Sequence, residues 1–245
     1  MKRWLKWTLG ALGAILLLAL AALAFFWPSL KILMDAGGVA GKEAPIPRPA
    51  AARPPLDTGA ADWTCWRGPR GDGQSAVTGI RTDWSGGLPK LWEANYLCRG
   101  EGSAAWSAPA VAGNRLVVPG RDGGRDVVFC LHAATGELLW LAAYDAPVAS
   151  SHGAGPRATP AIDGDRVYTF GRGGDLACWS LLDGTPLWRR NVKDEGGALP
   201  QWGHSSSPLV AGDLVFALTS NGVDEENHVT VPAPKNWAGP CRVVW

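Results

Sequence analysis

The sequence predicts an all-β protein: a partial β-propeller of about three to four blades, each four-stranded and antiparallel, preceded by one N-terminal transmembrane helix. Three observations predict it. The phrases SAPAVAGNRLVV, ATPAIDGDRVYTF and SSPLVAGDLVFAL share one apolar-turn-apolar pattern, with Pro109, Pro160 and Pro208 and then Gly113, Gly164 and Gly212 at matching places. Trp92, Trp140 and Trp188 fall 48 residues apart, a period that belongs to propellers, solenoids and arrays. Between residues 58 and 245 no amphipathic run of helical length occurs, and Gly and Pro interrupt the chain throughout.

Taken from the N-terminus, residues 1–7 are a basic leader containing Lys2, Arg3 and Lys6. Residues 8–27 are uncharged and apolar. At about 1.5 Å per residue they reach about 30 Å as a helix, enough to span a bilayer. The cationic leader predicts that everything after Pro28 is exported, so the chain is expected in the inner membrane, single-pass, with its propeller on the periplasmic or extracellular side. A cleaved signal using Ala22-Leu23-Ala24 is the competing reading, and it exports the same domain. Residues 28–57 form a Pro-rich linker, and residues 58–245 hold the repeats.

Within one repeat, Pro109 to Val111 predicts a strand, the turn at residues 112–114 reverses it, and Leu116 to Val118 returns. Glycine reaches positive φ without a Cβ clash, and Asn or Asp bonds its own backbone, so Gly-Asn and Gly-Asp suit tight hairpins. A third strand is expected at Val127 to Leu131, and a fourth ending at Trp140 after the Thr135-Gly136 turn. The next repeat copies this with Leu176 to Trp179, the turn Asp183-Gly184 and a strand ending at Trp188. The third repeat supplies a first hairpin, then runs on without a comparable close. That predicts a fragment of a larger ring, or a half-ring completed by a second copy through its open strand edges.

A formal net charge of +1, with both signs mixed along the chain, leaves no electrostatic footprint for nucleic acid. The five cysteines contain no C-x-x-C and predict no zinc site. Cys130 and Cys178 occupy matching apolar positions and are expected as buried thiols. A disulfide between Cys65 and Cys98 is one pairing that an oxidising compartment permits.

In a propeller, the residues just before each first strand rim the mouth of the central channel, and loops on a rigid scaffold often carry function. The third position before each strand proline holds Trp106, Arg157 and Ser205. His204 stands one position earlier, and His152 and Trp202 lie in the same loops. Trp, Arg and His bind rings and anions, which makes these six the candidate ligand-binding set. Packing of both tryptophans and pairing of Arg157 with a carboxylate is the plainer alternative. Neither histidine has a carboxylate or second histidine at metal spacing, so no catalytic residue and no metal site is assigned. The acidic run NGVDEENH (221–228) offers oxygen donors of the kind calcium takes, but its spacing matches no EF-hand loop and it reads as a solvated loop.

The segment from Ala133 to Trp140, AATGELLW, resembles the A-x-T-G-x-x-x-W blade end of pyrroloquinoline-quinone-like (PQQ-like) propeller repeats. LDGTPLW (182–188) departs from it with Asp in place of Thr. WRGPRGDGQS (66–75) resembles the W-R-G-P-x-x-D-G-x-S lead segment of bacterial exported or anchored members, carried here by Trp66, Arg67, Gly68, Pro69, Asp72 and Gly73. The resemblance covers roughly residues 63–230. It implies that Trp92, Trp140 and Trp188 lock neighbouring blades together, with Gly136 and Gly184 as docking turns. The family includes both dehydrogenases and assembly scaffolds. The adjacent Cys-Cys pair of the quinoprotein enzymes is missing, as is an identifiable Glu-Asn-Asp calcium set. The resemblance therefore implies a membrane-tethered binding or scaffolding module with an envelope protein as partner. A PQQ- and calcium-dependent alcohol or sugar dehydrogenase is the alternative, and a truncated product without function is a third.

Overall fold

The protein is described by a computed structural model that covers Phe26, residues 45–50, 62–147, 153–200 and 202–220, and the backbone of 227–231 and 242–243. The predicted leader, nearly all of the transmembrane segment, most of the linker, His152 and residues 221–226 of the acidic run lie outside the described residues. No helix among the described residues is long and apolar enough to cross a membrane.

Three antiparallel sheets follow one another along the chain. The first contains β1 (Cys98–Arg99), β2 (Ala110–Ala112), β3 (Arg115–Asp122), β4 (Arg125–His132) and β5 (Leu138–Asp145). The second contains β6 (Ala161–Asp163), β7 (Arg166–Phe170), β8 (Asp175–Ser180) and β9 (Pro186–Asn191). The third contains β10 (Leu209–Ala211), β11 (Leu214–Ser220), β12 (Asn227–Val231) and β13 (Arg242–Val243). In each, four consecutive strands pair in chain order; β1 adds to the first sheet by pairing parallel to the far end of β3. β6 lies beside both β2 and β10, so the first strands of the three sheets are neighbours, as in a propeller.

Each first hairpin turns on two residues, with Gly113, Gly164 or Gly212 at φ between +53° and +59° in the leading place. That is the position where a primed hairpin turn demands positive φ, and the turn's twist matches that of its strands.

The cores lie between blades because side chains alternate across each strand. On β4, Val127, Phe129 and Leu131 face Trp92, Tyr96 and Leu97 of the lead segment. Val128 and Cys130, on the opposite face, pack with Ile162, Val167, Ala177 and Trp179 of the second blade. On β8, Ala177 and Trp179 face back into that cluster, while Leu176 and Cys178 face forward onto Val215 and Ala217 of the third.

Tryptophans fasten these layers. The Trp92 indole donates to the Ala133 carbonyl at 3.1 Å and lies so close to Gly136 that a Cβ there would stand 2.5 Å from the ring. One blade on, Trp140 donates to the Leu181 carbonyl at 2.9 Å, with Gly184 under its ring in the same way. Trp188, in the third equivalent place, is half-buried beside Tyr168, and its indole N–H has no hydrogen-bond partner among the described residues.

Two expectations need correcting. Trp140 and Trp188 stand near the start of their outer strands rather than at the end, because pairing with the long third strands continues to Asp145 and Asn191. A β-bulge between Cys130 and Leu131, and its counterpart between Cys178 and Trp179, sets the register at each tryptophan. Beyond its predicted first hairpin the third repeat continues as β12, which pairs with β11 from Asn227 to Thr230, and β13 adds a two-residue edge. Cys65 and Cys98 are free thiols, the Cys65 Sγ donating to the Gly68 carbonyl, so no disulfide joins them.

Candidate functional site

The lead segment crosses the inner edges of two blades before it turns. Trp63 and Val111 exchange both backbone hydrogen bonds at 2.9 Å, and the Asp62 carboxylate accepts from the Gly113 N–H at 2.7 Å. The Ile162 N–H then donates to the Thr64 carbonyl at 2.7 Å. Immediately afterwards the chain folds tightly. The N–H groups of Gly68 and Gly71 bond back to Cys65 and Gly68, and Gly73 N–H reaches the Arg67 carbonyl. Gly68 has φ +80°, and the Trp63 ring stands 2.9 Å from where its Cβ would be, which leaves room only for glycine. Asp72 pins the far side by accepting from Arg70 Nε and Gln74 N–H.

This fold holds Trp66, Pro69 and Arg70 over a cavity of about 760 Å³. The opposite wall is made by Trp106, Arg157, Ser205 and the inner strands β6 and β10. Three of the six predicted ligand residues are thus gathered in one place, facing the lead motif that the sequence treated separately. Trp66 and Trp106 are each more than half exposed. Trp202 is exposed and lies outside the cavity lining.

Hydrogen bonds tie the mouth loops into one layer. Trp106 N–H donates to Pro156, and Ala154 and Gly155 donate to Gly102 and Ala104. Thr159 N–H donates to Ser207 Oγ at 3.0 Å, joining the second and third blades. Arg172, missed in the sequence because it lies outside the pre-strand loops, bridges the same blades: its guanidinium donates to the carbonyls of Gly153 at 2.6 Å and Trp202 at 3.2 Å. Burial, then repulsion from Arg157 and Arg121, makes its charged form harder to hold. Behind it, Arg121 and Asp126 form a buried ion pair at 2.7 Å. Burial pushes the Asp126 carboxyl up to about 6 despite the Arg121 guanidinium.

His204 departs from its expected place at the mouth. Only 2% exposed, it packs at 4.8 Å on Phe170, and neither ring nitrogen has a hydrogen-bond partner among the described residues. Burial lowers its pKa to about 4, an effect that the Leu218 backbone opposes. The unfolded chain therefore binds a proton more readily than the folded one between about 6.5 and about 4. His204 should cost stability as pH falls through that window, by roughly 2–3 kcal/mol at pH 4.5 relative to neutral pH. A His204→Phe variant is expected to lose less stability on acidification than the parent in urea melts; equal losses would rule His204 out as the cause.

Among the described residues, no group of three or more His, Cys, Asp or Glu side chains converges to hold a metal ion.

Over residues 81–230 the chain matches the PQQ-like repeat family model described as outer membrane protein assembly factor BamB. No curated protein matches it by sequence. In structure it is similar to the quinohemoprotein alcohol dehydrogenase from Comamonas testosteroni, at 18% identity and a TM-score of 0.54, covering 71% of this chain and 25% of that one. It is also similar to BamB from Moraxella catarrhalis, at 20% identity and a TM-score of 0.41, covering 54% of this chain and 38% of that one. The chain thus spans a quarter to two-fifths of the length of these relatives.

Proposed function

Since the chain belongs to the PQQ-like repeat family described as outer membrane protein assembly factor BamB, we propose that it acts as a non-catalytic binding or scaffolding module, held at the outer face of the inner membrane by residues 8–27. The observation that carries this reading is the 760 Å³ cavity, where two exposed indoles, two arginines and a row of serines converge beside an inner strand. That composition suits recognition of a ligand surface by ring contacts and charge-assisted hydrogen bonds. The tether rests on the basic leader and the uncharged run that follows it.

The test is reconstitution of the full chain with Ca²⁺ and PQQ, followed by dye reduction with alcohols and sugars, on protein recovered from the membrane fraction. No turnover is expected, and the chain should resist extraction by alkaline carbonate. Dye reduction above the cofactor blank would replace the binding reading with an oxidoreductase, and full release by carbonate would remove the tether.

A further inference from the structure

The two ends of the blade series are both open, and they are complementary. Leu209, Phe216 and Leu218 occupy in the third blade the places that Ala161, Tyr168 and Phe170 hold in the second. Those of the second blade are at most 2% exposed, because the third blade packs against them. In the third blade Leu209 is 59% and Leu218 41% exposed, Leu214 on the same face is 39% exposed, and Phe216 is half-buried. At the other end, Leu116 corresponds to Val167 and Val215. These two are 0% exposed, each packed on the blade before it, whereas Leu116 and its neighbours Val111 and Val118 are only half-buried.

The strands repeat the pattern. Residues 90–97 occupy the place of β5 one repeat earlier, and Trp92 locks onto Gly136 of the first blade as Trp140 of the first blade locks onto Gly184 of the second. They are therefore placed as a fourth strand, yet among the described residues no third strand pairs with residues 92–96. The third blade has the opposite lack. Its third strand, β12, takes only the two-residue β13, at Thr230 and Val231, where β4 and β8 take fourth strands of eight and six residues.

Residues 90–97 cannot complete the third blade of their own chain. Fixed behind the first blade by Trp92, they would reach β12 only in a ring of three, fewer than the about four to eight blades of closed propellers. A second copy meets the condition, because the lead strand behind its first blade stands where the third blade of the other copy needs a fourth strand. Two chains of three blades make six, inside the range of about four to eight. A head-to-tail contact of this kind ends in a ring when its rotation closes.

We propose that two copies of this chain close one ring. The third blade of each takes residues 91–97 of the other as its fourth strand, in place of β13, and packs Leu209, Leu214, Phe216 and Leu218 on Val111, Leu116 and Val118 of the other copy. Leu209 and Leu218 also line the cavity described above, so the second chain adds a wall to that site. Carrying over the register of Arg189 against Ala177 sets Glu93 of one copy opposite Thr230 of the other.

The test is sedimentation equilibrium of the full chain in detergent, together with a cross-link. The mass should be that of two chains, and Leu214→Asp with Leu218→Asp should weaken association by about tenfold or more, since a carboxylate is costly in an apolar contact. Unchanged thermal melts would confirm that this variant folds. A chain carrying both Glu93→Cys and Thr230→Cys should oxidise to a disulfide-linked dimer, because directly opposed strand residues lie about 4.5–5.5 Å apart at Cβ. Neither single variant should do so above the background of the native cysteines. A single-chain mass at every concentration would overturn the proposal and leave a further blade or another protein as the cover. A two-chain mass without the cross-link would also overturn it, since the copies would then meet elsewhere, as through their membrane segments. The ring does not rest on the binding-module reading, and dye reduction, which would remove that reading, leaves the ring untouched.

Discussion

Replacing Trp140 with alanine is expected to destabilise the protein by about 3–5 kcal/mol, the range for removing a fully buried large aromatic. The ring is 1% exposed and fills the space between the first two blades over Gly184. Its loss also leaves the Leu181 carbonyl without its indole donor. Against a typical total of about 5–15 kcal/mol this is a large fraction of the whole. Trp188→Ala, at the equivalent place one blade later, should cost about 1–2 kcal/mol, because that ring is half-buried and its N–H has no partner among the described residues to lose. Urea unfolding with unchanged slopes would read both values. Equal losses would mean that the lock does not depend on the turn of the following blade.

Asp126→Ala should cost a similar amount, about 3–5 kcal/mol, for an electrostatic reason. The side chains of Arg121 and Asp126 are 4% and 2% exposed, and Arg121 also donates to the Ala146 carbonyl. Without the carboxylate, a buried guanidinium is left in a region that already holds Arg172 and Arg157. Replacing the pair together, with Arg121→Met and Asp126→Leu, should restore most of the loss, since two desolvated charges are removed at once. A double variant as unstable as Asp126→Ala would refute this account.

The same carboxyl shapes the response to acid. Its folded pKa of about 6 lies above the ordinary 3.8, so its contribution is full below about 3.8 and is lost as pH rises through about 6. His204 works in the opposite sense over nearly the same window. The parent should therefore show a shallow acid limb, and Asp126→Ala a steeper one.

The sequence made the blades readable because their signals are local. A Gly-Asn or Gly-Asp turn, period-two alternation and one tryptophan per repeat each constrain the backbone within a few residues. Trp106, Arg157 and Ser205 were reachable by counting back from the strand prolines, because equivalent loops in a repeat fold face the same end. The crossing of residues 62–64 was hidden, since backbone bonds to Val111 and Ile162 leave little side-chain signature. Arg172 was hidden for a related reason: its partners are carbonyls, so no acidic residue at a suggestive spacing points to it. The length of β3 was underestimated because Pro119 and Gly120 look like a break. Both positions stay within the ladder, and Gly120 is needed where the Leu97 carbonyl crosses over it.

The lead segment's bonds to the inner strands impose an order of assembly. Its turn is among the first parts of the repeat region to be synthesised, yet Asp62 reaches Gly113, 51 residues later, and Thr64 must wait for Ile162 in the next blade. Contacts of such sequence separation form late, after the local hairpins have closed. In the exported topology proposed above, the N-terminal side of the domain thus stays undocked until its second blade has emerged. Over that interval Trp63, Trp66 and the free Cys65 thiol are open to chaperones, proteases and thiol oxidants.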